Sequence, residues 1–321
     1  MYLWEKPDWP ALIWDEKSLT RLLAKVSREQ GRLFGKMEAM GFELRNEAHI
    51  QTLAEDVVKS SEIEGEKLEP EQVRSSIARR LGIDAGGLLP ADRNVEGVVE
   101  MMLDATGNYE DPLTEERLFA WHASLFPTGR SGMTGIRVGR WRDDSSGPMQ
   151  VVSGPVGRET VHYEAPPAER LPDEMAKFLS WFEQPGDMDP LLMAGLAHLW
   201  FVTIHPFDDG NGRIARTIAD MALARSEQTG QRFYSMSAQI LREYQAYYDT
   251  LEWTQRGDLD ITIWQEWFLN CLGRAIEEAR KALGAVLDKA RFWERCATEP
   301  LNERQVRVLN RVLEEIEGIL T

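Results

Sequence analysis

The stretch of sequence that decides the fold lies at residues 190–216 and reads PLLMAGLAHLWFVTIHPFDDGNGRIAR. Its apolar first part predicts a buried helix over residues 190–203, which carries His198 and is too short to span a bilayer. Pro206 ends that pattern, because proline lacks a backbone donor and restricts the residue before it. Two glycines and an asparagine then permit a tight loop, and the pattern predicts a second helix over residues 213–225.

The rest of the sequence reads as mainly helical, so the predicted fold class is all-α, a helical bundle with one short β-hairpin. Asp15 fits the N-cap of a first helix, in which apolar residues recur at helical spacing, namely Leu19, Leu22, Leu23 and Val26. Further helices are predicted over residues 47–63, 71–81, 94–105, 114–125, 172–182, 237–255, 262–289 and 302–319.

One region departs from the helical pattern, because residues 132–166 are rich in glycine, serine and β-branched residues. Within it, residues 149–153 and 159–163 flank a Gly-Pro-Val-Gly turn and predict a β-hairpin. The Gly/Pro loop at residues 82–92 is the best candidate for a domain boundary. We therefore expect an N-terminal helical domain at residues 1–85, a main domain at 86–290 and a C-terminal helical segment at 291–321.

The composition is that of a soluble globular protein, with 43% hydrophobic and 28% charged residues in a chain of 321. A net charge of -16 disfavours nucleic acid as a partner but is compatible with a local basic pocket for one nucleotide. Cys271 and Cys296 lack metal-binding spacing, which favours reduced thiols and a cytoplasmic location. Residues 1–9 do not resemble a signal peptide, so no membrane partner is expected.

Residues 205–212, hereafter the signature loop, bring together groups suited to phosphate chemistry. Successive backbone N–H groups before a helix form an anion cradle, and Arg213 and Arg216 share the adjacent helix face. Asp208 and Asp209 offer oxygen ligands for Mg²⁺, and His205 suits a general base because it titrates near neutrality. The alternative is a solvated helix–loop–helix turn. The other histidines lack such neighbours and are predicted to be core or surface residues: His49, His122, His162 and His198.

The motif HPFDDGNGRIAR at residues 205–216 resembles the Fic family signature, HPFx[D/E]GNGRxxR, with every defined position matched. Fic proteins usually transfer AMP from ATP to a Ser, Thr or Tyr hydroxyl of a target protein. The resemblance therefore implies a Fic fold and a protein adenylyltransferase that uses ATP and Mg²⁺. By it, His205 would deprotonate the target hydroxyl and Asp209 would hold Mg²⁺ on the α- and β-phosphates. Phe207 would be buried under the loop, and Asp208 occupies the variable position and has no implied role.

The remaining positions of the motif receive phosphate-binding roles from the same resemblance. Arg213 would bind the β-phosphate or the leaving pyrophosphate, and Arg216 would bind the γ-phosphate. The cradle for the phosphates would be formed by Gly210, Asn211 and Gly212.

Two further segments resemble parts of Fic proteins. The hairpin lies where these proteins carry a flap that docks the target by strand addition, which implies docking at Gln150, Val151 and Val152. A plain surface hairpin is the alternative. Tyr248 would pack on the adenine base and Gln255 would hydrogen-bond it. The position of Gln255 is usually asparagine in Fic proteins, so this part of the pattern departs from the family.

An inhibitory motif of Fic proteins, [S/T]xxxE[G/N], matches residues 60–65, here through Ser60, Glu64 and Gly65. The surrounding residues 2–83 resemble the N-terminal domain of many bacterial Fic proteins. The resemblance implies that Glu64 pairs with Arg216 and keeps the ATP γ-phosphate from its productive position. The alternative is an ordinary helix end, capped by Gly65 in the left-handed conformation, with Glu64 in solvent.

Other functions stay open at this stage. The same site would serve a de-AMPylase, or a transferase of another group such as UMP or phosphocholine. A catalytically silent interaction module is disfavoured, because every defined residue of the motif is present. Self-modification is expected from the resemblance. Fic proteins of this kind often dimerise, and the sequence is compatible with a homodimer but does not decide the oligomeric state. Residues 301–320 resemble the first helix of a winged-helix extension, and the chain stops at Thr321 before any recognition helix or wing, so DNA binding is not expected.

Overall fold

The computed structural model describes residues 1–83, 89–145, 147–155, 158, 160–296, 304–305 and 308–309. Within them the protein is all-α, as predicted, with two small antiparallel hairpins. The helices are α1 (Glu16–Glu38), α2 (Phe42–Ile63), α3 (Pro70–Arg80), α4 (Arg93–Gly107), α5 (Glu115–Leu125), α6 (Leu171–Glu183), α7 (Pro190–Ile204), α8 (Asn211–Glu227), α9 (Met236–Arg242), α10 (Tyr244–Gln255) and α11 (Thr262–Cys296). The strands are β1 (Arg130–Ser131), β2 (Thr134–Gly135), β3 (Gln150–Ser153) and β4 (Thr160–Glu164).

The centre of the molecule is the pair of helices α7 and α8, which pack against each other along their length. Every residue of α7 after Pro190 is buried, which explains why this helix is apolar on all sides. Asp189 caps its start by accepting a hydrogen bond from the backbone N–H of Leu191 at 2.9 Å. The helix ends at Ile204, because His205 takes the left-handed conformation and a proline follows. The signature loop is thus held between two buried helices.

The remaining helices surround this pair. α2 packs against α3 and α9 and reaches α8, while α1 lies along α11. The N-cap predicted at Asp15 is confirmed, since its carboxylate accepts hydrogen bonds from the N–H groups of Lys17 and Ser18. A single hydrophobic cluster joins residues from α1 through α11. The end of α2 is therefore fixed against the start of α8.

Several boundaries differ from the sequence predictions. α2 begins at Phe42, earlier than predicted, and the single helix predicted over residues 237–255 is split into α9 and α10 at Glu243. The Glu243 carboxylate accepts two hydrogen bonds from Arg274 of α11, at 2.5 Å each. This tertiary contact accompanies the break, which no glycine or proline marks in the sequence. The short strands β1 and β2 were not predicted, because two residues are too few to show a period.

The β-hairpin is confirmed as β3 and β4, with Val151 opposite Tyr163 and a register irregularity after Val151. Its predicted turn lies partly outside the described residues, as does most of the helix predicted over residues 302–319. Tyr163 anchors the hairpin to α7 by donating its hydroxyl hydrogen to the carbonyl oxygen of Thr203 at 2.6 Å. Of the helices in the described part of the chain, none has the length and hydropathy that crossing a membrane would require.

Candidate active site

His205 lies at the turn between α7 and the signature loop, with φ 52° and ψ 59°. Its Nδ1 lies 3.2 Å from the carbonyl oxygen of Val202. A carbonyl oxygen can only accept, so Nδ1 carries the proton in this contact and Nε2 keeps its lone pair. Burial lowers the pKa of His205 to about 4. The imidazole is therefore neutral at pH 7 and can accept a proton at Nε2.

Arg142 holds the turn at His205 in place. Its Nε donates to the carbonyl oxygen of His205 at 2.8 Å, and its Nη2 donates to that of Pro166 at 2.5 Å. Its backbone N–H donates to the carbonyl oxygen of Pro206 at 2.9 Å, and Asp144 accepts from Nη1 at 2.9 Å. A left-handed conformation costs a non-glycine residue about 1–2 kcal/mol, so these contacts stabilise an otherwise unfavourable turn. The buried Arg142 thus links His205 to the segment that follows β4.

The signature loop is closed from inside by Asn211 and Phe207. The Asn211 amide accepts from the backbone N–H of Phe207 at 2.9 Å and donates to its carbonyl oxygen at 2.7 Å. The fully buried Phe207 ring stacks on His122, with centroids 4.2 Å apart. The Asn211 side chain is therefore occupied by its two contacts with the backbone of Phe207.

His122 supports the loop from below. Its Nε2 lies 3.2 Å from the carbonyl oxygen of Asp209, and its Nδ1 accepts from the backbone N–H of Gly139 at 3.2 Å. These two contacts require the tautomer with hydrogen on Nε2. Burial lowers the pKa of His122 to about 4, so the neutral ring persists at pH 7. His122 is a core residue, as predicted, and it also donates a hydrogen bond to the backbone of Asp209.

The two aspartates of the loop contact the β1–β2 segment. Ser131 donates its hydroxyl hydrogen to Oδ2 of Asp209, and the backbone N–H of Gly210 donates to Oδ1 at 2.6 Å. Asp208 accepts from the backbone N–H of Arg137 at 2.8 Å. No role was predicted for Asp208, and in the structure it anchors the segment that follows β2. Asp209 is partly exposed, with its carboxylate directed at the same segment.

Two glycines at the start of α8 lie close to side chains from other segments. Gly210 has φ 81°, and a Cβ atom there would lie 2.9 Å from the ring of Phe126. A Cβ atom at position 212 would lie 2.1 Å from Oε1 of Glu64. The signature loop and the end of α2 are thus in direct contact, and Gly212 permits it.

Ser60 of α2 and Glu64, which directly follows that helix, contact the guanidinium of Arg216. Arg216 Nη2 donates to Oε1 of Glu64 at 2.8 Å and to the carbonyl oxygen of Ser60 at 2.9 Å, and Nε donates to the Ser60 hydroxyl at 2.9 Å. Burial is the largest single influence on the pKa of Arg216 and acts to lower it, but Glu64 together with Tyr247 and Tyr248 outweighs burial, so the pKa is raised. The Arg216 side chain is 1% exposed and that of Glu64 is 28% exposed, so water screens this pair only in part.

Gly65 also forms the left-handed helix cap that an ordinary helix end would have. It has φ 80°, its N–H donates to the carbonyl oxygen of Glu62, and the N–H of Glu66 donates to that of Ser61, each at 3.0 Å. These are the two hydrogen bonds of a Schellman cap. The cap directs Glu64 towards α8 instead of leaving it in solvent.

A second carboxylate from the same turn contacts the other arginine of the motif. Arg213 Nη1 donates to Oε2 of Glu66 at 2.6 Å, and the guanidinium carbon lies 5.0 Å from the ring centroid of Phe126. The Arg213 side chain is 6% exposed. Within the described residues, Arg213 Nε and Arg216 Nη1 are buried without a hydrogen-bond partner. Each arginine thus retains a donor for a further acceptor.

The residues predicted to hold the adenine base lie on α10. Gln255 is buried, and its Nε2 donates to the hydroxyl of Thr203 at 3.3 Å. Tyr248 is partly buried and its ring lies 4.9 Å from that of Tyr247. Burial raises the pKa of Tyr248, so its hydroxyl stays protonated at pH 7. Both side chains lie on the helix that also contacts β4.

The predicted docking strand is β3, which pairs with β4 on one side only in the described part of the chain. Val152 is 47% exposed, Val151 is partly exposed, and Gln150 donates to Glu164 at 2.8 Å. β3 therefore presents a free edge.

The structure brings the residues of the signature loop, the end of α2 and both arginines into one site. Four residues in it were not singled out as functional from the sequence: Arg142, His122, Ser131 and Glu66. Arg142 and Ser131 lie in a segment without periodicity, and no local signal marks them. Glu66 follows the inhibitory motif directly, and its charge was the available signal.

This helical fold, with a glycine-rich loop between two buried helices, is shared by a known family. Residues 112–223 match the family model described as Fic/DOC family, and residues 2–83 match a domain of unknown function, DUF4172. The chain therefore carries a Fic/DOC family domain.

Two named relatives resemble part of the chain. The uridine 5'-monophosphate transferase of Xanthomonas campestris pv. campestris (strain 8004) is 32% identical over 127 residues, which are 36% of this chain and 21% of that protein. The protein adenylyltransferase Fic of Nematostella vectensis is 34% identical over 104 residues, which are 31% of this chain and 22% of that protein. The match thus spans about a fifth of the length of these relatives. Their names support a transferase at the level of the family.

Solved structures resemble more of the chain. A Fic family protein from Desulfovibrio desulfuricans G20 has a TM-score of 0.59 and 27% identity, over 81% of this chain and 74% of that one. Fic-1 from C. elegans has a TM-score of 0.57 and 19% identity, over 84% of this chain and 75% of that one, and supports the fold alone.

Proposed function

We propose that the protein transfers AMP from ATP to a Ser, Thr or Tyr hydroxyl of a target protein, and also to itself, and that Glu64 holds this activity down. The observation that carries the proposal is the combination of a neutral His205 with a free Nε2 and two buried arginines that keep unpartnered donors. Buried donors without partners are costly, and phosphate oxygens are acceptors that suit guanidinium groups.

The reaction follows from these groups. The target hydroxyl oxygen forms a bond to the α-phosphorus, while the bond from that phosphorus to the oxygen bridging the β-phosphate breaks and pyrophosphate leaves. The hydroxyl proton passes to Nε2 of His205, whose Nδ1 is already protonated against Val202. Arg213 and Arg216 would bind the β- and γ-phosphates, and the backbone N–H groups of residues 210–212 would cradle them.

The residues fit a Mg²⁺ ion that binds together with the nucleotide phosphates, and not one held by protein side chains alone. The described residues contain no group of three or more His, Cys, Asp or Glu that could hold a metal. Asp209 alone offers a carboxylate, and Mg²⁺ commonly binds through one or two carboxylates together with substrate phosphates. When bound, Mg²⁺ would neutralise the phosphate charge. Asp209 would then exchange its contact with Ser131 for the ion.

The inhibition follows from the Glu64–Arg216 pair. Glu64 Oε1 occupies Nη2 of Arg216 beside Gly212, so a γ-phosphate that binds at Nη2 would have to displace Glu64. ATP bound beside an intact pair would hold its α-phosphate out of line with the incoming hydroxyl. A misplacement of about 1 Å can cost about 100-fold in rate.

The flap supports a protein as the acceptor. The free edge of β3, at Gln150, Val151 and Val152, can add an extended target segment by backbone hydrogen bonds. Tyr163 fixes the hairpin to the residue that lies two positions before His205. A docked strand would thus be held at a set distance from His205, the proposed general base.

Transfer of UMP from UTP is the second candidate, favoured by the similarity to a uridine 5'-monophosphate transferase. The two are separated by incubating Glu64→Gly protein with Mg²⁺ and either ATP or UTP, followed by intact mass spectrometry. An AMP adduct formed from ATP in preference to UTP supports the proposal. A UMP adduct alone would support the second candidate instead. No adduct from either nucleotide would contradict both candidates.

A further inference from the structure

We propose that Glu66 is a second inhibitory carboxylate, which occupies the diphosphate-binding position at Arg213 independently of Glu64. The inference deepens the proposed function and rests on it for the identity of the nucleotide. Its direct observation is the 2.6 Å contact between Glu66 Oε2 and Arg213 Nη1.

The contact is built into the backbone. The Schellman cap at Gly65 fixes the N–H of Glu66 on the carbonyl oxygen of Ser61 at 3.0 Å. Glu64 and Glu66 lie on either side of this left-handed glycine, and one carboxylate contacts each arginine of the motif. A single turn at the end of α2 therefore places negative charge on both arginines.

The environment of Arg213 makes this pair stronger than a surface ion pair. Its side chain is 6% exposed and its guanidinium lies over the ring of Phe126, so water screens its charge weakly. The side chain of Glu66 is 33% exposed, and it can leave by rotating towards solvent. An incoming phosphate would gain the Nη1 donor used by Glu66 and the unpartnered Nε. The carboxylate and a diphosphate oxygen thus compete for one guanidinium.

The two carboxylates should then have separable effects. Glu64 opposes the productive position of the γ-phosphate, whereas Glu66 opposes binding of the diphosphate at Arg213. Loss of Glu66 alone should tighten binding. Loss of both should tighten it further than either loss alone, because each carboxylate contacts a different arginine.

The test uses inorganic pyrophosphate as the probe, since it has no base and its binding does not depend on which nucleotide is the donor. Titration calorimetry is performed on the full chain as wild type, Glu66→Gln, Glu64→Gly and the double variant. The matched control is Glu62→Gln on the same turn, whose carboxylate pairs with Lys59 and not with the site. Thermal unfolding of each variant checks that the fold is retained.

We expect Glu66→Gln to tighten pyrophosphate binding about tenfold, which corresponds to about 1.4 kcal/mol. Glu66→Gln should also tighten binding on the Glu64→Gly background, and Glu62→Gln should bind as wild type does. Equal dissociation constants for wild type and Glu66→Gln would overturn the inference, as would an effect of Glu66→Gln that disappears when Glu64 is absent. Because no transfer is measured, this result is independent of whether the protein proves to be an AMP transferase.

Discussion

The carbonyl oxygen of His205 accepts a hydrogen bond from Nε of Arg142 at 2.8 Å, and this contact ties the proposed base to the segment following β4. The left-handed turn at His205 is unfavourable for a side chain with a Cβ atom, so it depends on such support. The orientation of the imidazole therefore rests on a residue far from it in the sequence.

Arg142→Met should lower the turnover of transfer by about 100-fold on the Glu64→Gly background, since small displacements of a catalytic group are this costly. The KM for ATP should stay within about threefold, because Arg142 acts on the position of His205 and does not bind nucleotide. Steady-state kinetics measure both. The exposed Arg140 supplies the control Arg140→Met, which should behave as the parent does. A rise in KM with unchanged turnover would contradict a positioning role.

Ser60→Ala should partly activate the otherwise wild-type protein. The Ser60 hydroxyl accepts from Arg216 Nε at 2.9 Å, and a hydrogen bond to a charged group contributes about 1.5–3 kcal/mol. We expect the transfer rate to rise about tenfold, less than in Glu64→Gly, because the carbonyl oxygen of Ser60 keeps its contact with Arg216. Radiolabel incorporation from ATP measures the rate.

The neighbouring Ser61 provides the control for that prediction. It is fully buried, and its hydroxyl makes no hydrogen bond within the described residues. Ser61→Ala should therefore leave the rate unchanged. Equal activation by the two substitutions would show that loosening of α2, and not the contact with Arg216, is responsible.

The transfer rate should be almost independent of pH between 7.5 and about 5.5. The pKa of His205 is lowered to about 4, mainly by burial; the Arg142 charge acts in the same direction, whereas the hydrogen bond to Val202 and the charges of Glu64 and Asp209 act to raise it. Removal of Glu64 takes away one raising charge, so the imidazole of Glu64→Gly stays neutral and able to accept a proton throughout this range. Single-turnover rates at each pH test this. A fall in rate with a midpoint near 6.5, the usual value for histidine, would contradict it.

The buried histidines should contribute a loss of folding stability as the pH falls below 6.5, the usual pKa of histidine. Burial lowers the pKa values of His49 and His122 to about 4 and of His198 to about 3. The unfolded state then binds more protons than the folded state between these values and 6.5, so stability is lost as pH falls through that range. Asp220 and Glu227 act in the opposite sense, because burial raises their pKa values.

His122→Gln isolates one of these histidines. When the pH falls from 7 to 5, the free energy of unfolding should decrease less in the variant than in wild type. The variant lacks the histidine that takes up a proton when the chain unfolds. Urea unfolding at both pH values gives the difference, and His162→Gln on the partly exposed hairpin serves as control. Equal losses in wild type and His122→Gln would show that His122 does not titrate on unfolding.

Much of the fold and part of the site follow from the sequence for physical reasons. α7 is apolar throughout and α8 begins after a glycine, so both helices and the loop between them were predicted from local pattern. The contact of Glu64 with Arg216 was expected only through the resemblance to a family, since residues so far apart in sequence share no local signal. The structure provides the distance and the burial of that pair.

The rest depends on tertiary packing. Arg142, Ser131 and His122 reach the signature loop from segments whose own sequence pattern is irregular or merely helical. The break between α9 and α10 lies at Glu243, where a salt bridge to α11 and not a helix-breaking residue marks the position. Such contacts become visible only when the chain is folded.

The most direct test of the account is incubation of the purified protein with Mg²⁺ and ATP labelled at the α-phosphate, comparing wild type, Glu64→Gly and Glu64→Gly/His205→Ala. We expect label on the Glu64→Gly protein, little on wild type, and none once His205 is replaced. Equal labelling of wild type and Glu64→Gly, or labelling that survives the loss of His205, would contradict it.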